Sequence, residues 1–174
     1  MVGFTQFSNN VKDPREVVKL LSELFTRFDQ LCVKNKVYKV HTIGDCYVIM
    51  GYAGHIPQNQ RTPQIKAEEA FRVTQTAFEM IDIISDVRNQ SDNPDLKDLN
   101  MRIGIHTGKV VAGIIGTKIV RYDIFGSDVL IANKMESNGV AGKVVVSEET
   151  KNMLTTNEDF TQRLNFSHLT TVEL

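Results

Sequence analysis

The chain has 174 residues, which suits one domain, since domains usually run to roughly 100–200 residues. Hydrophobic residues make up 41% and charged residues 24%, ordinary values for a globular protein that buries a core. A net charge of -1 provides no field favouring nucleic acid or an anionic membrane, and no apolar run approaches the roughly 18 residues of a membrane-spanning helix. Cys32 and Cys46 lie in apolar segments without repeated spacing, and read as reduced core thiols of a cytosolic setting.

The opening "MVGFTQF" has no cationic n-region or long apolar core, so it is not a signal peptide and resembles a strand entered halfway. Asp13 as a cap, Pro14 at the first helical position and Glu16 at capping-box spacing predict a helix over roughly 14–33. Val17, Leu20, Leu21, Leu24, Phe28 and Leu31 form its apolar face. "VYKVH" and "CYVIM" are strand-like runs around a Gly44-Asp45 turn. The polar stretch "GYAGHIPQNQRTPQ" follows, then a second long helix with Ala67, Ala70, Phe71, Thr74, Ala77, Phe78, Ile81 and Ile84 as its buried stripe.

"RNQSDNPDLKDLN" is a solvent loop. "MRIGIHTG" and "KVVAGIIG" read as strands paired with each other, and "RYDIFG" as a third strand. "SDVLIANKMES" reads as a helix ending near Gly139, "GKVVVS" as a buried strand, and Ser147 as the cap of a short helix carrying Glu148 and Glu149. From Thr155 onward the pattern is uninformative. This order predicts an α+β fold with a ferredoxin-like βαββαβ core that lacks most of its first strand, in a single domain over residues 1–174.

Asp45 has two readings. Gly-Asp is common turn chemistry, but Gly3 precedes the capped helix, and a bend there can aim backbone N–H groups at an anion. If the opening strand lies beside the hairpin, bend and carboxylate share one sheet edge, a suitable place for a hard cation and a polyphosphate. Arg102 opens a strand, where it is either a phosphate contact or a solvated edge charge. His106 alternates with Ile103 and Ile105 and reads as structural. Lys109 and Lys118 beside glycines make only a weak basic patch. No zinc spacing, nucleophile elbow, phosphate-binding G-x-x-x-x-G-K-[ST] loop or dinucleotide fingerprint is present.

Together "GFTQFS", "LLSELFTRFDQL", "KVHTIGDCY", "MRIGIHTGKVVAGIIG", "YDIFGSDVLIANKMES" and "GKVVVSEETKNML" resemble the class III adenylyl/guanylyl cyclase catalytic domain, in family order over about residues 1–154. The resemblance implies two domains dimerised head to tail, with the active site between them. It implies two Mg²⁺ or Mn²⁺ ions and attack of a ribose 3′-hydroxyl on the α-phosphate of ATP or GTP, releasing pyrophosphate. Asp45 and Val2 carry over to the metal site, and Gly3, Phe4, Thr5, Gly44 and Arg102 to the nucleotide phosphates. The family's first metal Asp stands immediately before the position of Met1.

The partner-side residues depart from the family. Against V-N-x-A-S-R the chain has "VLIANK", so Leu130 replaces an Asn and Lys134 an Arg, losing a hydrogen-bonding group and a planar bidentate fork. His41 stands where guanylyl-type domains carry Glu and adenylyl-type domains Lys, while Asp123 matches the adenine-contacting Asp. With Phe125 and Ser127 they line the degenerate pocket of a metal-donating half, as in heterodimeric cyclases. The expectation is a cyclase half forming cAMP or cGMP, active with a complementary cyclase domain and truncated at its N-terminus. It is expected to be a cytoplasmic domain without nucleic-acid or membrane contacts of its own, compatible with a larger membrane-attached protein. The rival is a degenerate cyclase homology domain that dimerises and regulates. An RNA-binding sandwich is excluded by net charge and the lack of aromatic strand motifs.

Overall fold

Asp13 and Pro14 start the first long helix where their chemistry predicts. In the computed structural model, which describes residues 1–51 and 56–169, Asp13 Oδ1 accepts the Arg15 N–H at 3.0 Å. The Arg15 guanidinium, rather than Glu16, makes the second contact to the cap. This helix, α2 (Pro14–Asn35), ends where Lys36 turns left-handed at φ 54°. Before it lies a short helix, α1 (Phe4–Asn10), where the sequence suggests a piece of strand. Only Val2 keeps strand pairing, an antiparallel bridge to Asn100. Gly3 at φ 77° makes the turn between them, packed so closely that a Cβ there would sit 2.8 Å from the Asp98 carbonyl oxygen.

After α2 come β1 (Tyr38–Ile43) and β2 (Cys46–Met50), an antiparallel hairpin. Then α3 (Pro63–Gln90) starts at Thr62, whose hydroxyl accepts the Ile65 N–H. The polar stretch between β2 and α3 lies partly outside the described residues. Next are β3 (Arg102–Ile105), β4 (Val111–Ile115), β5 (Arg121–Phe125), α4 (Ser127–Ser137), β6 (Lys143–Val146), α5 (Glu148–Thr155) and α6 (Glu158–Arg163). Ser147 caps α5 by accepting the Thr150 N–H.

The "MRIGIHTG" and "KVVAGIIG" strands do not pair with each other, contrary to the sequence expectation. β3 pairs in parallel with β6, from Arg102↔Lys143 to Ile105↔Val146, and β4 pairs antiparallel with β5, from Val111↔Phe125 to Ile115↔Arg121. The few residues joining β4 to β5 favour a hairpin, while β3 finds a partner across the α4 connection. Counting Val2 as the vestige of a first strand, the order Val2–α2–β1–β2–α3–β3 is βαββαβ.

The main core gathers Leu24 and Phe28 of α2, Met80, Ile83, Ile84 and Val87 of α3, and Phe7, Leu96, Leu99 and Met101. Each such side chain contributes about 1.5–3 kcal/mol of hydrophobic stabilisation. A second cluster joins Ala70 and Phe71 of α3 to Leu154 of α5, with Phe160 of α6 stacked on Phe71 at 4.2 Å. These two cores correct the predicted stripe of α3. The first half of the helix faces α5 and the second half faces α2, so the buried face swings round the axis. Phe78, on the first half's face but in the second half, is left exposed, and Ile81 is only partly covered. Cys32 is a buried thiol as expected, but Cys46, the first residue of β2, is exposed and not part of the core.

Candidate active site

Gly44 and Asp45 form the two-residue loop between the last hairpin pair, Ile43↔Cys46. Gly44 takes φ 56°, the left-handed conformation that a first loop residue of a tight hairpin needs. The turn leaves the Asp45 side chain 31% exposed, and the Met1 nitrogen lies against its Oδ2. Val2, the next residue, spends its N–H and C=O on Asn100 at 2.8 and 3.0 Å. The opening residues therefore run between the hairpin tip and the approach to β3. Gly3, Phe4 and Thr5 follow at the start of α1, which has no side-chain cap, so its first N–H groups are not spent on one.

A β-bulge decides what β1 presents. Lys39 pairs with Ile49 and His41 with Val48, leaving Val40 as the extra, buried residue. Lys39 and His41, two apart in sequence, would share a face in a regular strand; the bulge separates them. Lys39 turns to α2, where its Nζ binds Asp29 at 2.7 Å beside the Tyr47 hydroxyl. His41 turns to the opposite face, and its Nδ1 meets Asp123 Oδ1 of β5 at 3.0 Å as an ion-pair contact without hydrogen-bond alignment. Arg121 holds the other Asp123 oxygen at 2.9 Å, and Tyr38 packs edge-on against Tyr122 at 5.5 Å. Two of the residues expected in the degenerate pocket are thus brought together.

Arg102 begins β3 with its Nε 3.0 Å from Glu136 Oε1 near the end of α4. The Ser137 hydroxyl lies 3.4 Å from the other carboxylate oxygen. Partial desolvation, and then the charges of Glu136 and Asp45, push the Cys46 thiol up. The contact rests on Gly104 of β3, where a Cβ would overlap the Glu136 backbone nitrogen and come within 2.7 Å of the Ala132 carbonyl oxygen. Leu130 is exposed on α4, one turn before the partly buried Lys134. Sequence reasoning missed Glu136 as the partner of Arg102. The two are 34 residues apart and no local pattern links them. His106 is structural, as its strand alternation suggests, with its ring bound to Ser147.

Asp45 offers the oxygen ligand that Mg²⁺ or Mn²⁺ takes. Among the described residues, no three His, Cys, Asp or Glu side chains group closely enough to hold a metal ion by themselves. A cation at Asp45 is therefore compatible with the donor type, and further ligands must come from outside this set.

The model of the adenylate and guanylate cyclase catalytic domain matches residues 1–174. Guanylate cyclase alpha of Plasmodium falciparum (isolate 3D7) is 42% identical over 172 residues, which is 99% of this chain and 4% of that protein. Adenylate cyclase type 9 of Xenopus laevis is 39% identical over 154 residues, 88% of this chain and 10% of that protein. The chain thus spans a small part of the curated relatives it matches. Among solved structures, the guanylate cyclase domain of RhGC from Catenaria anguillulae in complex with GTP superposes with a TM-score of 0.69 at 27% identity, covering 87% of this chain and 75% of that one. The chain belongs to the adenylate and guanylate cyclase catalytic domain family.

Proposed function

We propose that this domain forms cyclic AMP or cyclic GMP from ATP or GTP as the metal-donating side of a site shared with a second cyclase domain. The observation that supports it is the contact of the Met1 nitrogen with Asp45 at the hairpin tip, which brings the start of the chain, with Val2 and Gly3 next in sequence, to that carboxylate. Two Mg²⁺ or Mn²⁺ ions, when bound, lower the pKa of the ribose 3′-hydroxyl and neutralise charge on the phosphates. Asp45, through its carboxylate, and Val2, through its backbone, would contribute protein ligands. Gly3, Phe4, Thr5 and Gly44 line the triphosphate, and Arg102 offers it the Nη groups that Glu136 does not engage. The new bond would join O3′ to the α-phosphorus, the bond from the α-phosphorus to the bridging oxygen would break with its electron pair leaving on pyrophosphate, and the hydroxyl proton would pass to solvent water.

A second domain is supported by the β4–β5 hairpin, whose surface carries Val111 at 72% and Ile119 at 91% exposure, together with Ile114, Ile115 and Val120. Such a ridge is more apolar than solvent-facing strands usually are. Leu130 and Lys134 cannot reproduce the partner-side Asn and Arg, so a complementary domain supplies those groups and reads the purine. No helix among the described residues is long and apolar enough to cross a membrane. We assign the domain to the cytoplasm, where its triphosphate substrates are held.

The test titrates a purine-reading cyclase domain into this chain, extended upstream by one strand, with Mn²⁺ and either triphosphate. Activity should rise from near zero to saturation. A flat response would instead support the reading of a regulatory, catalytically degenerate domain, which the lack of a group of three or more His, Cys, Asp or Glu side chains among the described residues favours.

A further inference from the structure

His106 has no part in the reaction proposed above, yet its side chain is only 4% exposed and reaches two other elements. Its Nδ1 is 2.8 Å from Ser147 Oγ and 3.6 Å from Glu149 Oε2 at the start of α5, and its Nε2 is 3.5 Å from Asp128 Oδ1 in the first turn of α4. Serine, histidine and carboxylate are the parts of a hydrolytic triad. Here they are not one: Ser147 is buried, and its hydroxyl already caps α5 on the Thr150 N–H.

Asp128 makes the more informative contacts. Its Oδ2 accepts the Lys109 N–H, and its side chain packs so closely on Gly108 that any Cβ there would overlap it. Lys109 and Asp128 lie just outside the last β4–β5 pair, Val111↔Phe125, so this bond closes the base of the hairpin. The Lys109 N–H first, and His106 after it, hold the Asp128 carboxyl below the usual carboxylate range. The ribbon needs such support, because a two-stranded hairpin is marginal alone in water. Its side-chain ties to β1 are His41–Asp123 and the Tyr38–Tyr122 edge contact.

We infer that Asp128, oriented by His106, is a positioning residue that clamps the base of the β4–β5 hairpin and fixes how its apolar ridge and Asp123 leave the domain. The clamp is a property of the chain alone. Its effect on activity rests on the reading of the ridge as the face for a second cyclase domain, so the two are measured separately.

Amide hydrogen exchange on the chain tests the clamp. Asp128→Ala should speed exchange of the β4–β5 amides about tenfold, while β3 and β6 keep their protection. Asp128→Asn, whose amide oxygen still accepts the Lys109 N–H, should restore most of it. If Asp128→Ala does not fold, His106→Gln is used, with an increase of about threefold expected in the same segment. Unchanged protection in β4–β5, or equal loss in β3 and β6, overturns the inference. In the reconstituted enzyme Asp128→Ala should raise the partner concentration for half-maximal activity and leave the saturated rate within about twofold. A clamp confirmed by exchange with no shift in partner demand would move the fault to the dimer reading.

Discussion

Asp45→Ala should lower cyclic nucleotide formation by the reconstituted enzyme about a thousandfold, roughly 4 kcal/mol of transition-state stabilisation. Asp45 is the carboxylate at the hairpin tip, and among the described residues no group of three or more His, Cys, Asp or Glu side chains could hold the ion in its place. The fold should hardly notice. The residue sits in a partly exposed turn, and substitutions of that kind usually stay within about 0.5 kcal/mol. Gly44, which supplies the backbone conformation, is untouched. Assays at saturating partner, with thermal unfolding in parallel, separate the two. A variant that keeps activity within a few-fold would remove Asp45 from the metal site, and one that unfolds early would make it a structural turn residue.

Gly104→Ala should have the largest effect on stability, about 3 kcal/mol or more, seen as a fall in the unfolding midpoint of roughly 6–12 °C. The added Cβ meets the backbone of α4 at Ala132, Met135 and Glu136, and backbone has no rotamer with which to yield. Relief requires α4 to move away from β3 as a unit. That motion would also pull Glu136 from Arg102, so the surviving folded protein should show a raised KM for the triphosphate. A midpoint within about 2 °C of the parent would mean that α4 slides freely on β3, contrary to the packing described above.

Much of the helical framework was legible because caps and apolar spacing act locally. Asp13-Pro14 and Ser147 each mark a helix start that the structure keeps, and the Gly44-Asp45 loop falls where two β-branched runs meet. What escaped depends on contacts distant in sequence. The pairing of β3 with β6 crosses an intervening hairpin and helix, and nothing in "MRIGIHTG" announces it. Phe78 looked buried because helical periodicity assumes one face, whereas α3 serves two cores in succession. At the site, Asp45 was visible only in company with neighbouring motifs. The His41–Asp123 contact depends on a bulge at Val40 that alternation alone would not predict, and Glu136 emerges only once α4 lies over Gly104.

The central claim is that Asp45 holds a divalent cation together with the triphosphate. Mn²⁺ binding to the reconstituted enzyme, followed by electron paramagnetic resonance with a 3′-deoxynucleoside triphosphate that cannot cyclise, measures this without relying on turnover. Parent protein should bind Mn²⁺ in a nucleotide-dependent manner, and Asp45→Asn should weaken that binding about a hundredfold or more. Equal Mn²⁺ affinity in the two proteins would contradict the account.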